Sequence, residues 1–174
     1  MTYPSKCVVD TTFLMDVRNG GMVAEVFKFP SLMYVPDVIL AQMSDGELFV
    51  EHRLTKHQFD GKQVREVSRL RSLQPQVSVN DMFAFVLARD SRATLLTGDR
   101  NLCTFSEGEG VEVQGVLWLL DELVQLNIIS PVRGAAGLER MIAAGSWLPR
   151  EECDARLSRW KSRKSYGGGL QARV

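Results

Sequence analysis

Cysteine is scarce in this chain and poorly placed for chemistry. Cys7, Cys103 and Cys153 are three in 174 residues. The number is odd and no C-x-x-C spacing occurs, so neither a zinc site nor a disulfide framework is expected. Cys7 sits in an apolar run and reads as a small core residue. No apolar stretch approaches the ~20 residues a membrane span needs, and the first residues carry no signal-peptide pattern. A reducing cytoplasm is the expected setting, with no membrane partner. Net charge is missing too: 21 Lys and Arg stand against 21 Asp and Glu, so nothing pulls the whole molecule toward nucleic acid. There is no internal repeat.

What is present is ordinary for a soluble globular domain: 45% apolar and 24% charged residues, in a chain long enough for one domain with a real core. The charge is unevenly spread. From Ala155 to Val174 there are six Lys or Arg and no acid, which leaves the rest net acidic by six. The expected division is a main domain over residues 1–150, then a C-terminal helix and basic, flexible tail over 151–174. Trp160 and Tyr166 interleave with that tail's cations, so it is a candidate for stacking on RNA, for docking a partner, or for no role at all.

The chain is organised around Val77 to Cys103, read as helix, tight connection, buried strand and loop. Ser78 is a good N-cap with Asp81 in the first turn. Met82, Phe83, Val86 and Leu87 follow at helical spacing. Ala93 to Thr97 has strand length, and Gly98-Asp99 punctuates its end. The N-terminus repeats the pattern: Lys6 to Val9 is a strand that stops at Asp10, and Thr11-Thr12 opens a helix carrying Phe13, Leu14 and Val17. Were these strands parallel neighbours, Asp10 and Asp99 would lie together at the sheet's carboxyl edge, where open α/β sheets bind ligands. Asp81 could reach the same place from its helix start. Carboxylates this close raise one another's pKa unless a cation neutralises them. Three acids converging point to a hard, oxygen-loving divalent ion, Mg²⁺ or Mn²⁺.

The blocks VVDTTFL, VPDVILAQ, SVNDMFAFVLA and LLTGDRNL resemble, in order and spacing, the motif blocks of PIN-domain nucleases. The continuation GVEVQGVLWLLDELVQLNIISPV…LERMIAAGSWLP resembles the C-terminal half of a toxin-like (VapC-like) bacterial branch, and the likeness spans roughly residues 5 to 150. It implies a three-layer α/β fold with a central, mostly parallel sheet and a helical C-terminal extension. It also implies a Mg²⁺- or Mn²⁺-dependent endoribonuclease, the toxin of a toxin–antitoxin pair. Asp10, Asp81 and Asp99 would be both the metal ligands and the catalytic residues, activating water for attack on an RNA phosphodiester. A homodimer inhibited by a small antitoxin goes with that family. One position departs from the pattern: Gln42 stands six residues after Pro36, where the family has a Glu that completes the metal site. The alternative expectation is therefore a catalytically weakened PIN module that binds RNA or protein without cutting.

Around these acids, Thr11 and Thr97 are candidates to orient carboxylates, or plain capping and turn residues. Asp45 could substitute for the acid missing at Gln42. Asn101 would be a polar supporting group or substrate contact. Lys62, Arg65 and Arg69 fall on one helix face, either as a solvated surface or as a phosphate track. Asp16, Asp37 and Asp90 read as surface acids, and Trp118 as packing. A phosphotransferase with Asp10 as nucleophile would want a second Asp two residues on, where Thr12 stands. Elsewhere, residues 52–71 read as mostly helical, 106–110 as a polar loop, 111–113 as a strand and 138–144 as a helix.

Overall fold

A computed structural model describes residues 3–162 of the chain. Five strands form one all-parallel sheet in the order 3-2-1-4-5. They are β1 (Lys6–Val9), β2 (Leu32–Pro36), β3 (Thr55–His57), β4 (Thr94–Leu96) and β5 (Val113–Gln114). β1 lies at the centre, with Val8 level with Tyr34 of β2 on one side and with Leu95 of β4 on the other. Cys7, Val8, Val9, Leu95 and Leu96 have no exposed surface, as expected of parallel strands covered on both faces by helices. This is the three-layer α/β architecture expected from the sequence.

Helices α1 (Thr11–Asn19), α2 (Val23–Val26), α3 (Asp37–Gln42), α4 (Gly46–Glu51) and α5 (Gly61–Leu73) occupy the first half. They are followed by α6 (Val79–Ser91), α7 (Arg100–Gly108), α8 (Val116–Gln125), α9 (Pro131–Ala143) and α10 (Arg150–Ser162). α6 is buried continuously from Met82 to Ala88 because it lies between the sheet and α5. Among the described residues no helix is long and apolar enough to cross a membrane.

Several sequence expectations are corrected. Residues 106–110 are not a loop: α7 runs through to Gly108 because Asp99 caps its start and Leu102 and Ser106 turn inward. The stretch 52–71 is helical from Gly61 onward, as expected, but its first part forms β3, which pairs with β2. The last strand is Val113–Gln114 rather than 111–113, and α9 begins at Pro131, capped by Ser130, well before 138. Trp160 is 1% exposed and is core. Its ring lies 3.4 Å from where a Cβ on Gly134 would stand, and Arg156 and Arg159 clasp Asp121 on α8. Burial removes Trp160 as a base-stacking candidate. Tyr166, Arg163, Lys164 and Arg173 lie outside the described residues. Trp118 is half-buried, edge-on to Phe29, so it packs as expected.

Candidate active site

The chain leaves β1 for a neighbour on one side and reaches β4 on the other, so a crevice opens between the carboxyl ends of β1 and β4. Ligands bind at such a switch point. Val9 is level with Leu96, and the Asp10 N–H donates to Leu96 O at 3.3 Å. The two strands therefore end together, and Asp10 and Asp99 emerge on the same edge.

Each acid is held by the start of a helix. Asp10 caps α1, its Oδ1 accepting from the Phe13 N–H at 2.7 Å. Asp99 caps α7, its Oδ1 accepting from the Leu102 N–H at 2.8 Å. Asp81 stands in the first turn of α6, where Ser78 accepts its N–H at 3.1 Å and donates to its Oδ2 at 2.6 Å. Three helix N-termini, each with partial positive charge, thus face the same place. Thr97 links two of the acids: its hydroxyl donates to Asp10 Oδ2 and accepts from the Asp99 N–H at 2.9 Å.

Electrostatics tie the three together. Asp10 has no exposed surface. Its carboxyl is raised to about 7, chiefly by burial, with Thr97 and the Phe13 N–H opposing and the Asp81 and Asp99 charges adding to the rise. Burial also raises the Asp81 carboxyl, Ser78 opposes, and the Asp99 charge adds to the rise. Such a set of mutually repelling hard oxygens suits a divalent cation in charge and in donor type. Thr11 Oγ1 is buried without a hydrogen-bond partner among the described residues. The side chains nevertheless sit in helix-capping positions. Among the described residues no three His, Cys, Asp or Glu side chains stand close enough around one point to hold an ion as placed. Ion binding would require the three carboxylates to turn inward from their caps.

The remaining candidates separate. Gln42 reaches the start of α6, where its Oε1 accepts from Asn80 Nδ2 at 2.7 Å. Gln42 thus contacts the first turn of α6, in which Asn80 precedes Asp81. Asp45 is held by Arg18 Nη1, at 3.2 Å to both of its oxygens, and is thereby engaged away from Asp81. Asn101 turns its amide to Gln76 O at 3.3 Å and braces the starts of α6 and α7. Arg69 is committed to Glu66, with bonds of 2.8 and 3.0 Å, while Lys62 and Arg65 are exposed. The groove between α5 and α6, lined by Val67, Ser68, Arg71, Ser72, Val79 and Phe83, opens on the face of α6 opposite Asp81.

Asp16 corrects the sequence reading. It is 5% exposed, not a surface acid. Burial raises its carboxyl; Ser146, after α9, pulls it back without Ser146 Oγ reaching full hydrogen-bond geometry. A Cβ on Gly98 would lie 3.0 Å from Thr12 Cγ2 and 3.5 Å from Asp16 Oδ2, so the turn before Asp99 rests on α1 at these two residues. The signal was available: Phe13, Asp16, Val17 and Gly20 form one inward helical stripe.

A PIN-domain profile (DUF3368) matches residues 6–162. The chain belongs to the PIN-domain family. PIN domains are typically nucleases and generally use divalent metal ions. Among solved structures, the chain is similar to one from the VapBC2 complex of Rickettsia felis bound to a DNA fragment from their promoter. Identity is 14%, covering 63% of this chain and 98% of that one, with a TM-score of 0.41. So distant a likeness adds nothing about the site. No curated protein matches the sequence. The family assignment thus rests on the profile.

Proposed function

We propose that the protein is a divalent-metal-dependent endoribonuclease and the toxin of a toxin–antitoxin pair. The observation that supports it best is the placement of Asp10 and Asp99 at the paired carboxyl ends of β1 and β4, the switch point of a PIN-domain sheet, with Asp81 near enough that its charge raises the Asp10 carboxyl. Asp10, Asp81 and Asp99 would hold Mg²⁺ or Mn²⁺. Bound there, the ion supplies Lewis-acid chemistry, polarising a phosphodiester and making water a better nucleophile. The chain's own part is positional. Thr97 holds Asp10 and the start of α7 in one arrangement, and the three helix starts offset the carboxylates' charge. Lys62 and Arg65 offer phosphate contacts. A small antitoxin and a homodimer complete the proposal, as for the toxin-like PIN branch. Cleavage of single-stranded RNA with Mn²⁺, lost in EDTA and in Asp99→Asn, tests it. A well-folded wild type inert toward a panel of RNAs in Mg²⁺ and Mn²⁺ would remove the enzyme reading.

One observation favours a second reading. The Gln42–Asn80 amide pair puts a neutral group where the family pattern has an acid. A catalytically weakened module would bind RNA or a protein partner without cutting. The two diverge when Gln42→Glu is assayed: a gain of cleavage identifies a weakened nuclease.

A further inference from the structure

The groove between α5 and α6 holds about 480 Å³ and is walled by Val67, Ser68, Arg71 and Ser72 of α5 and by Val79 and Phe83 of α6. On α5, Val64, Val67, Ser68 and Arg71 fall at i, i+3, i+4 and i+7, one stripe about 10 Å long. Val64 is 40% exposed and Val79 49%. Phe83 is fixed as the floor by Phe59, edge-on to it with ring centres 4.8 Å apart. Apolar side chains left in water side by side on two packed helices mark an interaction surface.

One polar group in this groove is unsatisfied. Arg71 is half-buried, and its Nε is shut off from water with no hydrogen-bond partner among the described residues. Glu66, the acid on its own helix, is taken by Arg69 and Arg89. The hydroxyls of Ser68 and Ser72 turn back to Val64 O and Arg69 O, at 3.0 and 2.7 Å. Residues 67–80 contain no Asp or Glu. A guanidinium donor held out of water without an acceptor destabilises the free protein. A carboxylate matches its planar fork best. Charge and shape disfavour three other occupants. A second copy in a symmetric pair would bring together two α5 helices on which Lys62, Arg65, Arg69 and Arg71 face Glu66 alone. Residues 163–174 of this chain carry Arg163, Lys164 and Arg173 and no acid. An RNA strand would meet one cation among apolar walls, and Phe83 is too buried to stack on a base.

We infer that this groove docks a partner protein through an acidic amphipathic helix, whose apolar side chains cover Val67, Val79 and Phe83 while an Asp or Glu pairs with Arg71. Val79 and Phe83 lie on the face of α6 away from Asp81. The docked helix therefore leaves the carboxylates open, and the inference stands whether or not they cut RNA.

The test titrates the full chain into a fluorescein-labelled synthetic helix of about four turns, with Leu along one stripe and Glu flanking it, followed by anisotropy. Companion peptides carry Gln or Lys in place of Glu. Wild type should bind the Glu peptide about tenfold more tightly than the Gln peptide, the worth of one charged hydrogen bond. Arg71→Met should bind the two alike, Arg71→Glu should prefer the Lys peptide, and Val79→Asp should weaken all three. The melting temperature of Arg71→Met should equal or exceed that of wild type, because an unpaired donor leaves the groove. A fall would make Arg71 a structural residue and overturn the proposal. Equal affinity of wild type for the Glu and Gln peptides, or no saturable binding of the Glu peptide, also overturns it. So does self-association that Val79→Asp abolishes, which assigns the groove to a second copy. Displacement of the Glu peptide by single-stranded oligoadenylate overturns it in favour of nucleic acid. Cleavage in Mn²⁺ scores the nuclease reading on its own, and Arg71→Met should leave it unchanged.

Discussion

Thr97 Oγ1 donates to Asp10 Oδ2 and accepts from the Asp99 N–H, so one hydroxyl, 5% exposed, couples two of the acids and also lowers the Asp10 pKa. Thr97→Val keeps the shape and strands both partners in a site water barely reaches. Metal-free stability by urea unfolding should fall by about 2–3 kcal/mol, and Mn²⁺ affinity at neutral pH should weaken because Asp10 becomes harder to ionise. Thr97→Ser should restore both. Equal Mn²⁺ affinity in the Val variant would show that Thr97 only shapes the turn. Gln42 gives a prediction of opposite sign. Gln42→Glu retains the oxygen that accepts from Asn80 and adds a negative charge beside Asp81, at an exposed position. Mn²⁺ affinity by calorimetry should rise about tenfold, the low end for a supporting ligand, while metal-free stability changes by less than about 1 kcal/mol. Asp45→Asn should leave Mn²⁺ affinity unchanged in both backgrounds, because Arg18 already holds Asp45. A loss in wild type alone would mean Asp45 swings in.

Helix α9 reaches the site indirectly, by closing on α1 and delivering Ser146 to Asp16. Glycines permit that approach: a Cβ on Gly137 would stand 2.1 Å from Met22 Sδ, and one on Gly20 would stand 2.6 Å from Met141 Cε. Gly137→Ala should therefore destabilise by about 1–3 kcal/mol as an overpacked contact. An unchanged or raised urea midpoint would mean that Met22 finds another rotamer at no cost. How much of this was legible varies with how local each element's reasons are. β1, β4 and α6 carry their own signals, namely continuous apolar runs, a Ser cap and helical spacing, and the three acids were found because they punctuate those elements. β3 was missed because Thr55-Lys56-His57 is polar and exposed. It is a strand through its pairing with β2, which sequence does not display. α7 was cut short because Ser106 and Gly108 look like loop residues, whereas the cap at Asp99 and the inward Leu102 extend it. α10 was expected as a helix, but Cys153 and Trp160, seven apart on one buried stripe, were not read as core because they lie among cations. Asp16 was misread because its partner arrives from the far end of the chain.

Over the whole molecule, the buried acids link stability, pH and metal. Folding raises the Asp10 carboxyl from 3.8 to about 7, so the native state prefers this group protonated. That contribution is fully present below about pH 4 and is lost as pH rises through about 7. Asp81 and Asp16 are also raised and act in the same direction. Glu66, lowered to about 2 by Arg69 and Arg89, has the opposite sign, but its contribution is complete by pH 5 and does not change above it. In EDTA the melting temperature should accordingly fall between pH 5 and pH 8, and Asp10→Asn should fall less. A divalent ion needs Asp10 ionised, so binding expels a proton and affinity should tighten from pH 6 to pH 8. Added Mn²⁺ should then raise the melting temperature more at pH 8 than at pH 6, by an amount corresponding to about 2.7 kcal/mol at a hundredfold excess over Kd. Asp10→Asn should lose most of that rise and its pH dependence. Scanning fluorimetry at pH 6, 7 and 8, with EDTA and with millimolar Mn²⁺, reads both slopes together. A Mn²⁺ shift of equal size at pH 6 and pH 8 in wild type would separate ion binding from Asp10, and with it the assignment of this carboxylate as a metal ligand.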